Sequence, residues 1–211
     1  MACGIFTEYY RLGEQKGGNF MKKRALVQKK PISRKVAKRL RELTSCIAYL
    51  KETRNLVSVK SEVDPRHELA GIAKKLEGQK PVFFERIKGS KYPLLIGLLW
   101  NRDVVGSLFG VPKENIPFLI AGAIGPWHEN KDLIPSKTLK KGPANEVIEK
   151  GVNLHKLPIP IHALKDGGKY FDSSVVVVKN PETGIPNISI HRMMVAKKDR
   201  LTFLIDPERH L

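Results

Sequence analysis

The strongest constraint on the fold lies in residues 173–205, where β-forming segments follow one another with only short turns between them. The segment 173–179 reads Ser-Ser-Val-Val-Val-Val-Lys, and Asn-Pro-Glu-Thr-Gly follows it at 180–184. The β-branched residues favour a buried strand, and the turn residues favour a reversal of the chain. Residues 188–196 and 201–205 predict two more strands. Because the connections are short, we predict an antiparallel sheet or barrel here.

The upstream half alternates between helix and strand patterns. After Ser33, which is the expected N-cap, apolar residues recur at spacings of four, three, four and three. This spacing predicts one amphipathic helix whose apolar stripe is Val36, Leu40, Leu43, Ile47 and Leu50. Further elements follow: strands at 55–62, 82–87 and 94–100, a helix opened by Asp64 as N-cap and Pro65 as first residue, and a short helix after Asn101.

These patterns predict the α+β class and four consecutive regions. Residues 1–31 are Gly- and Lys-rich without a sustained period, and we expect a mobile basic leader. An N-terminal α/β domain is predicted over 32–124, and a Pro-, Gly- and Lys-rich connecting loop over 125–145. The remainder, 146–211, is predicted to be a β domain.

The net charge narrows the class of partner without deciding it. The chain has 38 Lys and Arg against 21 Asp and Glu, a formal charge of +17, and residues 1–60 alone have 15 against 4. Such a field attracts nucleic acid, an acidic protein or anionic substrates, whereas the plainer interpretation is a solvated basic face. Both interpretations stay open at this point.

Several classes of protein lack support in the sequence. There is no run of eighteen apolar residues, so we predict no membrane partner, and the start does not have the pattern of a secretory signal. Two cysteines, Cys3 and Cys46, make neither a disulfide framework nor a CxxC site, so a cytoplasmic location is expected. Nucleophile-elbow, P-loop, zinc-protease and dinucleotide-binding motifs are absent from the 211 residues.

The candidate chemistry lies at the second predicted strand of the β domain, residues 188–196. In a strand, Asn187, Ser189 and His191 share one face, and Ile188, Ile190 and Arg192 share the other. An inward Arg192 would need an anionic partner such as a phosphate or carboxylate; the alternative is an edge strand whose arginine lies in water.

Two further groups have chemically suitable side chains but open alternatives. Asn187 and His210 provide an amide oxygen and an imidazole for a divalent ion, although two ligands do not make a site and a structural histidine is the plainer interpretation. His162, close to the turn Asp166-Gly167-Gly168, lines either a ligand pocket or a plain loop.

Several motifs together resemble a known family. The later ones are Pro-Ile-Pro-Ile at 158–161, Asp-Gly-Gly-Lys-Tyr at 166–170, Asn-Pro-Glu-Thr-Gly at 180–184 and Asn-x-Ser-Ile-x-Arg at 187–192. The earlier ones are Tyr-Leu-Lys-Glu at 49–52, Val-x-Val at 57–59 and Glu-Val-Asp-Pro-Arg-His-Glu-Leu at 62–69. From about Arg39 to Leu211 the chain resembles the UbiD family, decarboxylases that use prenylated FMN.

The resemblance implies a role for each matching residue. Asn187 and His210 match ligands of a divalent ion, typically manganese, that holds the cofactor phosphate, and potassium is a second candidate ion. Arg192 matches the arginine of a Glu-Arg-Glu catalytic network that faces the substrate carboxylate. The flavin-contacting residues implied in this way are Ile190, His191, Arg192, Leu204, Ile205, Asp206, Arg209 and His210. The implied fold for 146–211 is part of a split antiparallel β-barrel that binds the flavin.

The resemblance also implies groups that these 211 residues do not contain. In the family, the third metal ligand, both catalytic glutamates and an oligomerisation domain lie beyond the position of Leu211. We therefore expect the chain to be inactive alone and to need a C-terminal half or partner chain, with which it would form a homo-oligomer. A flavin prenyltransferase would supply the cofactor, and the substrate would be an unsaturated or aromatic carboxylic acid. The alternative function is a non-catalytic basic module that binds nucleic acid or an acidic partner.

Overall fold

The computed structural model describes residues 33–129, 140, 142 and 145–205. The predicted leader at 1–31 and residues 130–139 of the predicted connecting loop lie outside these ranges. Within them the chain forms helices and two three-stranded sheets, which confirms the predicted α+β class. In this part of the chain, no helix combines the length and the apolar composition that crossing a membrane requires.

The helices and strands are numbered here in chain order. The helices are α1 (Arg34–Leu40), α2 (Leu43–Glu52), α3 (Glu68–Leu76), α4 (Arg102–Phe109) and α5 (Ile116–Glu129), with 3-10 turns at Lys113–Asn115 and Leu154–Lys156. The strands are β1 (Val57–Val63), β2 (Val82–Ile87), β3 (Leu94–Ile96), β4 (Tyr170–Lys179), β5 (Pro186–Lys197) and β6 (Arg200–Thr202).

The described residues group into two compact units. The first contains those up to Arg54 and those within Arg102–Lys140; the second contains Asn55–Asn101 and those from Lys141 onward. The second unit combines residues from both sides of the division predicted at 125–145, because it is defined by contacts within the chain. That division stays a prediction.

In the first unit, the prediction of a single helix after Ser33 is wrong, because the segment forms the two helices α1 and α2. Ser33 does cap α1, because its Oγ accepts a hydrogen bond from the Val36 N–H at 3.3 Å. Glu42, however, has an extended backbone, and a second helix starts after it. The apolar spacing continues across the break, so periodicity alone does not detect one extended residue.

Helix α5 corrects the predicted start of the connecting loop. The helix continues to Glu129, so the first five residues of the predicted loop at 125–145 are helical. Gly125 and Pro126 were the signals for a break. A proline in a helix removes one backbone donor and kinks or ends the helix only if packing does not compensate.

In the second unit, the first sheet has the order β1-β2-β3, with β1 parallel to β2 and β2 antiparallel to β3. Its core is a cluster of buried residues, Val63, Leu69, Val82, Phe84 and Ile87, to which α3 contributes Leu69. This cluster is where the hydrophobic stabilisation of the unit concentrates.

Two element boundaries at this sheet differ from prediction by three or more residues, whereas β1 (Val57–Val63) differs from the predicted 55–62 by one or two. Helix α3 begins at Glu68 and not at Pro65, because the Asp64 carboxylate accepts the Arg66 N–H at 2.7 Å and the Glu68 carboxylate accepts the Asp64 N–H at 2.7 Å, in a turn before the helix. Strand β3 ends at Ile96 and not at 100, because Gly97 turns the chain with φ +78°.

The second sheet has the order β4-β5-β6 and is antiparallel throughout, as predicted. The predicted turn at 180–184 is confirmed, since Asn180 Oδ1 accepts the N–H groups of Glu182 and Thr183 at 2.8 and 2.9 Å. None of the described residues in β4, β5 or β6 is buried. A three-stranded sheet usually needs a packed apolar face for stability, so this sheet offers surface for further polypeptide.

Candidate functional site

Strand β5 presents the predicted site residues on two faces. Asn187, Ser189 and His191 are half-buried on one face, whereas Ile188, Ile190 and Arg192 alternate with them on the exposed face. The alternation predicted for this strand is therefore confirmed.

The guanidinium of Arg192 is held on three sides. Its Nε donates a hydrogen bond to Asp172 Oδ1 at 2.8 Å, and its Nη2 donates one to Asp166 Oδ1 at 3.0 Å. Its central carbon lies 3.8 Å from the centroid of the Tyr170 ring, in cation–π geometry. The side chain is 46% exposed, so Arg192 is neither a buried arginine nor one that lies free in water.

The two carboxylates are themselves held in place. Asp166 Oδ2 accepts the Ala163 N–H at 3.1 Å across the turn before β4, and Asp172 Oδ2 pairs with His162 Nε2. His162 therefore contacts one of the two carboxylates that hold Arg192, and its place in a ligand pocket stays a prediction. Neither Asp166 nor Asp172 was predicted as a partner of Arg192; their acidic side chains near the start of β4 were the available signal.

The hydrogen bonds between Arg192 and its carboxylate partners shift the pKa values of Asp166 and Arg192. The hydrogen bond from Arg192 lowers the pKa of Asp166, and the Ala163 N–H lowers that pKa further. Hydrogen bonds to Asp172 and then Asp166 raise the pKa of Arg192. The two carboxylates offset the positive charge of the guanidinium, so Arg192 does not attract anions indiscriminately.

On the opposite face, the His191 side chain has two contacts. Its Nε2 lies 3.0 Å from Ser189 Oγ, and its ring lies 5.4 Å from the Phe203 ring, centroid to centroid. Aromatic packing and a hydroxyl partner together restrict the imidazole to one orientation.

The metal and cofactor roles stay predictions. Asp206, Arg209 and His210 lie outside the described residues, whereas Leu204 and Ile205 follow β6 and are exposed. Within the described ranges, no three His, Cys, Asp or Glu side chains are close enough to bind a metal ion. Of the two predicted metal ligands, Asn187 lies within the described residues and His210 does not.

An apolar surface extends from Arg192 along the same face of the sheet. Val175 pairs with Ile190, and Val177 pairs with Ile188, across β4 and β5. These four side chains are 64–70% exposed. A fixed guanidinium at the end of a flat apolar surface suits an anion with an apolar body, or an aromatic ring system with an acidic substituent.

Two family models match the chain. The 3-octaprenyl-4-hydroxybenzoate carboxy-lyase N-terminal domain matches residues 47–124, and the Rift-related domain of the same carboxy-lyase matches residues 137–211. The second match contains every residue of the Arg192 cluster described above.

Curated relatives extend well beyond the matched region. A Rhodospirillum rubrum protein described as an uncharacterized protein in the cooM 5' region is 47% identical over 171 residues, which are 81% of this chain and 36% of the relative. Anhydromevalonate phosphate decarboxylase of Methanosarcina mazei is 40% identical over 164 residues, 78% of this chain and 36% of the relative. The chain therefore spans about a third of the length of these relatives.

The fold is also similar to that of solved enzymes. An evolved dimeric form of the UbiD-class enzyme HmfF from Pelotomaculum thermopropionicum, in complex with prFMN, matches with 32% identity and a TM-score of 0.69. The match covers 78% of this chain and 38% of the HmfF chain. The open-form vanillic acid decarboxylase of Sedimentibacter hydroxybenzoicus matches with 26% identity and a TM-score of 0.66, over 78% of this chain and 38% of that one.

Proposed function

Because the chain belongs to the UbiD family, we propose that it forms the part of a prenylated-FMN-dependent decarboxylase that orients the substrate carboxylate. The reaction is the reversible, non-oxidative loss of CO2 from an unsaturated or aromatic carboxylic acid. The observation that carries this proposal is the guanidinium of Arg192, fixed by two carboxylates at the end of an exposed apolar sheet face.

Arg192 acts by binding and orientation. Its planar N–H groups match the two oxygens of a carboxylate and hold that group in one direction while the bond from the carboxylate carbon to the rest of the acid breaks. Ile190 and Val175 contact the apolar body of the acid and exclude water from it. The flavin, when bound, supplies an electron sink for the pair of electrons that CO2 leaves behind.

The cofactor contacts that the family resemblance implies are part of the proposal. Residues 190–192 and 204–206, with Arg209, would contact the flavin, and Asn187 and His210 would bind manganese at its phosphate. The half-buried amide of Asn187 fits a hard cation in type. One described ligand does not build a metal site, so no step is assigned to manganese or potassium.

A further polypeptide completes the site in this proposal. Because β4, β5 and β6 have no buried residue, their exposed apolar face needs a cover, and the relatives have about two thirds of their length beyond the matched region. The proposed occupant is the sequence that corresponds to that remainder. It would supply two catalytic glutamates and the third metal ligand, and the completed enzyme would be a cytoplasmic homo-oligomer that receives its flavin from a prenyltransferase.

Co-expression tests this function. The chain is produced with the coding sequence that continues or neighbours its own and with a flavin prenyltransferase, and the purified complex is assayed for bound flavin. Exchange of ¹³C-bicarbonate into a panel of unsaturated and aromatic acids then reports the reaction. We expect flavin binding and exchange that Arg192→Ala abolishes and Arg200→Ala, a matched change on β6, retains. A complex that binds no flavin contradicts the proposal.

One observation favours a second candidate function. Helix α1 and the residue after it expose Arg34, Lys35, Lys38 and Arg41. This basic face would bind nucleic acid or an acidic partner, with an affinity that falls steeply as salt is added. Binding to duplex DNA or RNA that Lys35→Glu with Lys38→Glu weakens would support it; binding unaffected by salt would contradict it.

A further inference from the structure

We infer that Asp166 and Asp172 are positioning residues that set the direction from which a carboxylate reaches Arg192. This inference rests on the proposed function of Arg192 as the carboxylate-binding residue. It concerns two side chains that the metal, flavin and glutamate roles leave without an assignment.

The hydrogen bonds divide the guanidinium into an occupied side and an open end. Arg192 has five N–H donors in a planar arrangement. Nε donates to Asp172 and Nη2 donates to Asp166, so the edge of the guanidinium that carries Nε is occupied. Three donors remain, two on Nη1 and one on Nη2. Among the described residues, neither carboxylate reaches Nη1, and the remaining fork matches a bidentate carboxylate.

The rest of the cluster prevents the guanidinium from turning. Tyr170 lies against one surface of the plane at 3.8 Å. Asp166 is fixed by the Ala163 N–H, and Asp172 is fixed by His162. Each of the two aspartates therefore has a second partner that holds it when Arg192 binds substrate. An arginine without such supports loses its orientation among many rotamers.

The negative charges of the two aspartates distinguish a role in orienting the substrate carboxylate from a role in attracting it. The two aspartates offset the positive charge of Arg192, so they do not strengthen the attraction for an anion. If they served only to attract substrate, they would be the wrong residues for that task. Removal of one negative charge should strengthen loose anion binding while the direction of the bound carboxylate becomes less defined. The expected signature is a fall in kcat without a rise in KM.

The first test measures the hydrogen bond from Arg192 Nε–H to Asp172 in the 211-residue chain. In ¹H–¹⁵N spectra tuned to arginine side chains, the Nε–H of Arg192 should exchange slowly with water, and Asp172→Asn should remove most of that protection. Asp199→Asn, a change of the same charge in the turn between β5 and β6, should leave the signal unchanged. Arg192 Nε–H exchange as fast as that of an exposed arginine in the unmodified chain would overturn the inference without any activity measurement.

The second test uses the completed, flavin-loaded complex. Asp172→Asn and Asp166→Asn should each lower kcat about tenfold to a hundredfold, the range for a misplaced reacting group, with KM unchanged or lower. An active complex in which both variants keep the unmodified kcat contradicts the positioning role. An unmodified complex that binds flavin but exchanges no bicarbonate contradicts the proposed function instead, so the two failures are distinguishable.

Discussion

Two valine-to-alanine substitutions should differ several-fold in their effect on stability, because one valine is buried and the other is not. Val82 on β2 is fully buried in the first sheet's core, whereas Val177 on β4 is 68% exposed. Each substitution removes two methyl groups, worth about 0.8 kcal/mol each when fully buried. Val82→Ala also leaves a cavity, so its expected cost is about 2–3 kcal/mol. With a third of its surface buried, Val177 should lose only about 0.5 kcal/mol.

Urea denaturation followed by circular dichroism measures both free energies of unfolding. The slope with urea concentration serves as the control, since an unchanged slope means that only stability changed. If Val177→Ala lowers the free energy of unfolding of the isolated chain as much as Val82→Ala does, the face of β4 and β5 is already covered and the reasoning fails.

The same pair of variants also tests the proposed cover. Val177 should become buried when the completing polypeptide binds, so Val177→Ala should weaken that association by about 1–2 kcal/mol, which is roughly tenfold in Kd. Val82→Ala should leave the Kd unchanged at temperatures where the variant stays folded. Equal binding by the unmodified chain and Val177→Ala would place the partner on another surface.

Three more predictions concern single contacts. Tyr49→Phe removes the hydroxyl that lies 2.9 Å from Ser107 Oγ and 3.2 Å from its carbonyl oxygen, so thermal unfolding should show a loss of about 1 kcal/mol. Gly110→Ala should lose at least about 1–2 kcal/mol in the same assay, because Gly110 has φ +70° and an added Cβ would lie 2.8 Å from an Arg39 nitrogen. Because the folded-state pKa of Asp166 is lowered, its contribution to stability is present above the unfolded pKa of about 3.9 and disappears as pH falls through the folded value. Urea titrations between pH 2 and 6 should show that Arg192→Ala removes part of this acid dependence; an identical pH profile would contradict the pairing.

Local patterns in the sequence predicted the elements that depend on neighbouring residues. The Ser33 cap and the turn at 180–184 follow from hydrogen bonds within three residues of the chain. The alternation of Asn187 to Arg192 follows from the two-residue period of a strand. The motifs also predicted the family, because many separate positions agree along most of the chain.

Where the predictions were wrong, a competing local interaction changed a boundary. Helix α3 starts late because the carboxylates of Asp64 and Glu68 form a turn first. The apolar spacing continues past Glu42 although α1 ends at Leu40, because period counting is insensitive to a single extended residue.

The sequence by itself determined that Arg192 lies on a strand, on the same face as Ile188 and Ile190. Only the tertiary structure decided what holds that arginine. Its partners Asp172 and Asp166 lie 20 and 26 residues away along the chain. Asp172 lies in β4 where the pairing with β5 shifts in register between Phe171 and Ser174, and Asp166 lies in the turn before β4. Residue periodicity carries no information on such a shift, since register depends on the pairing of two strands and not on either strand alone.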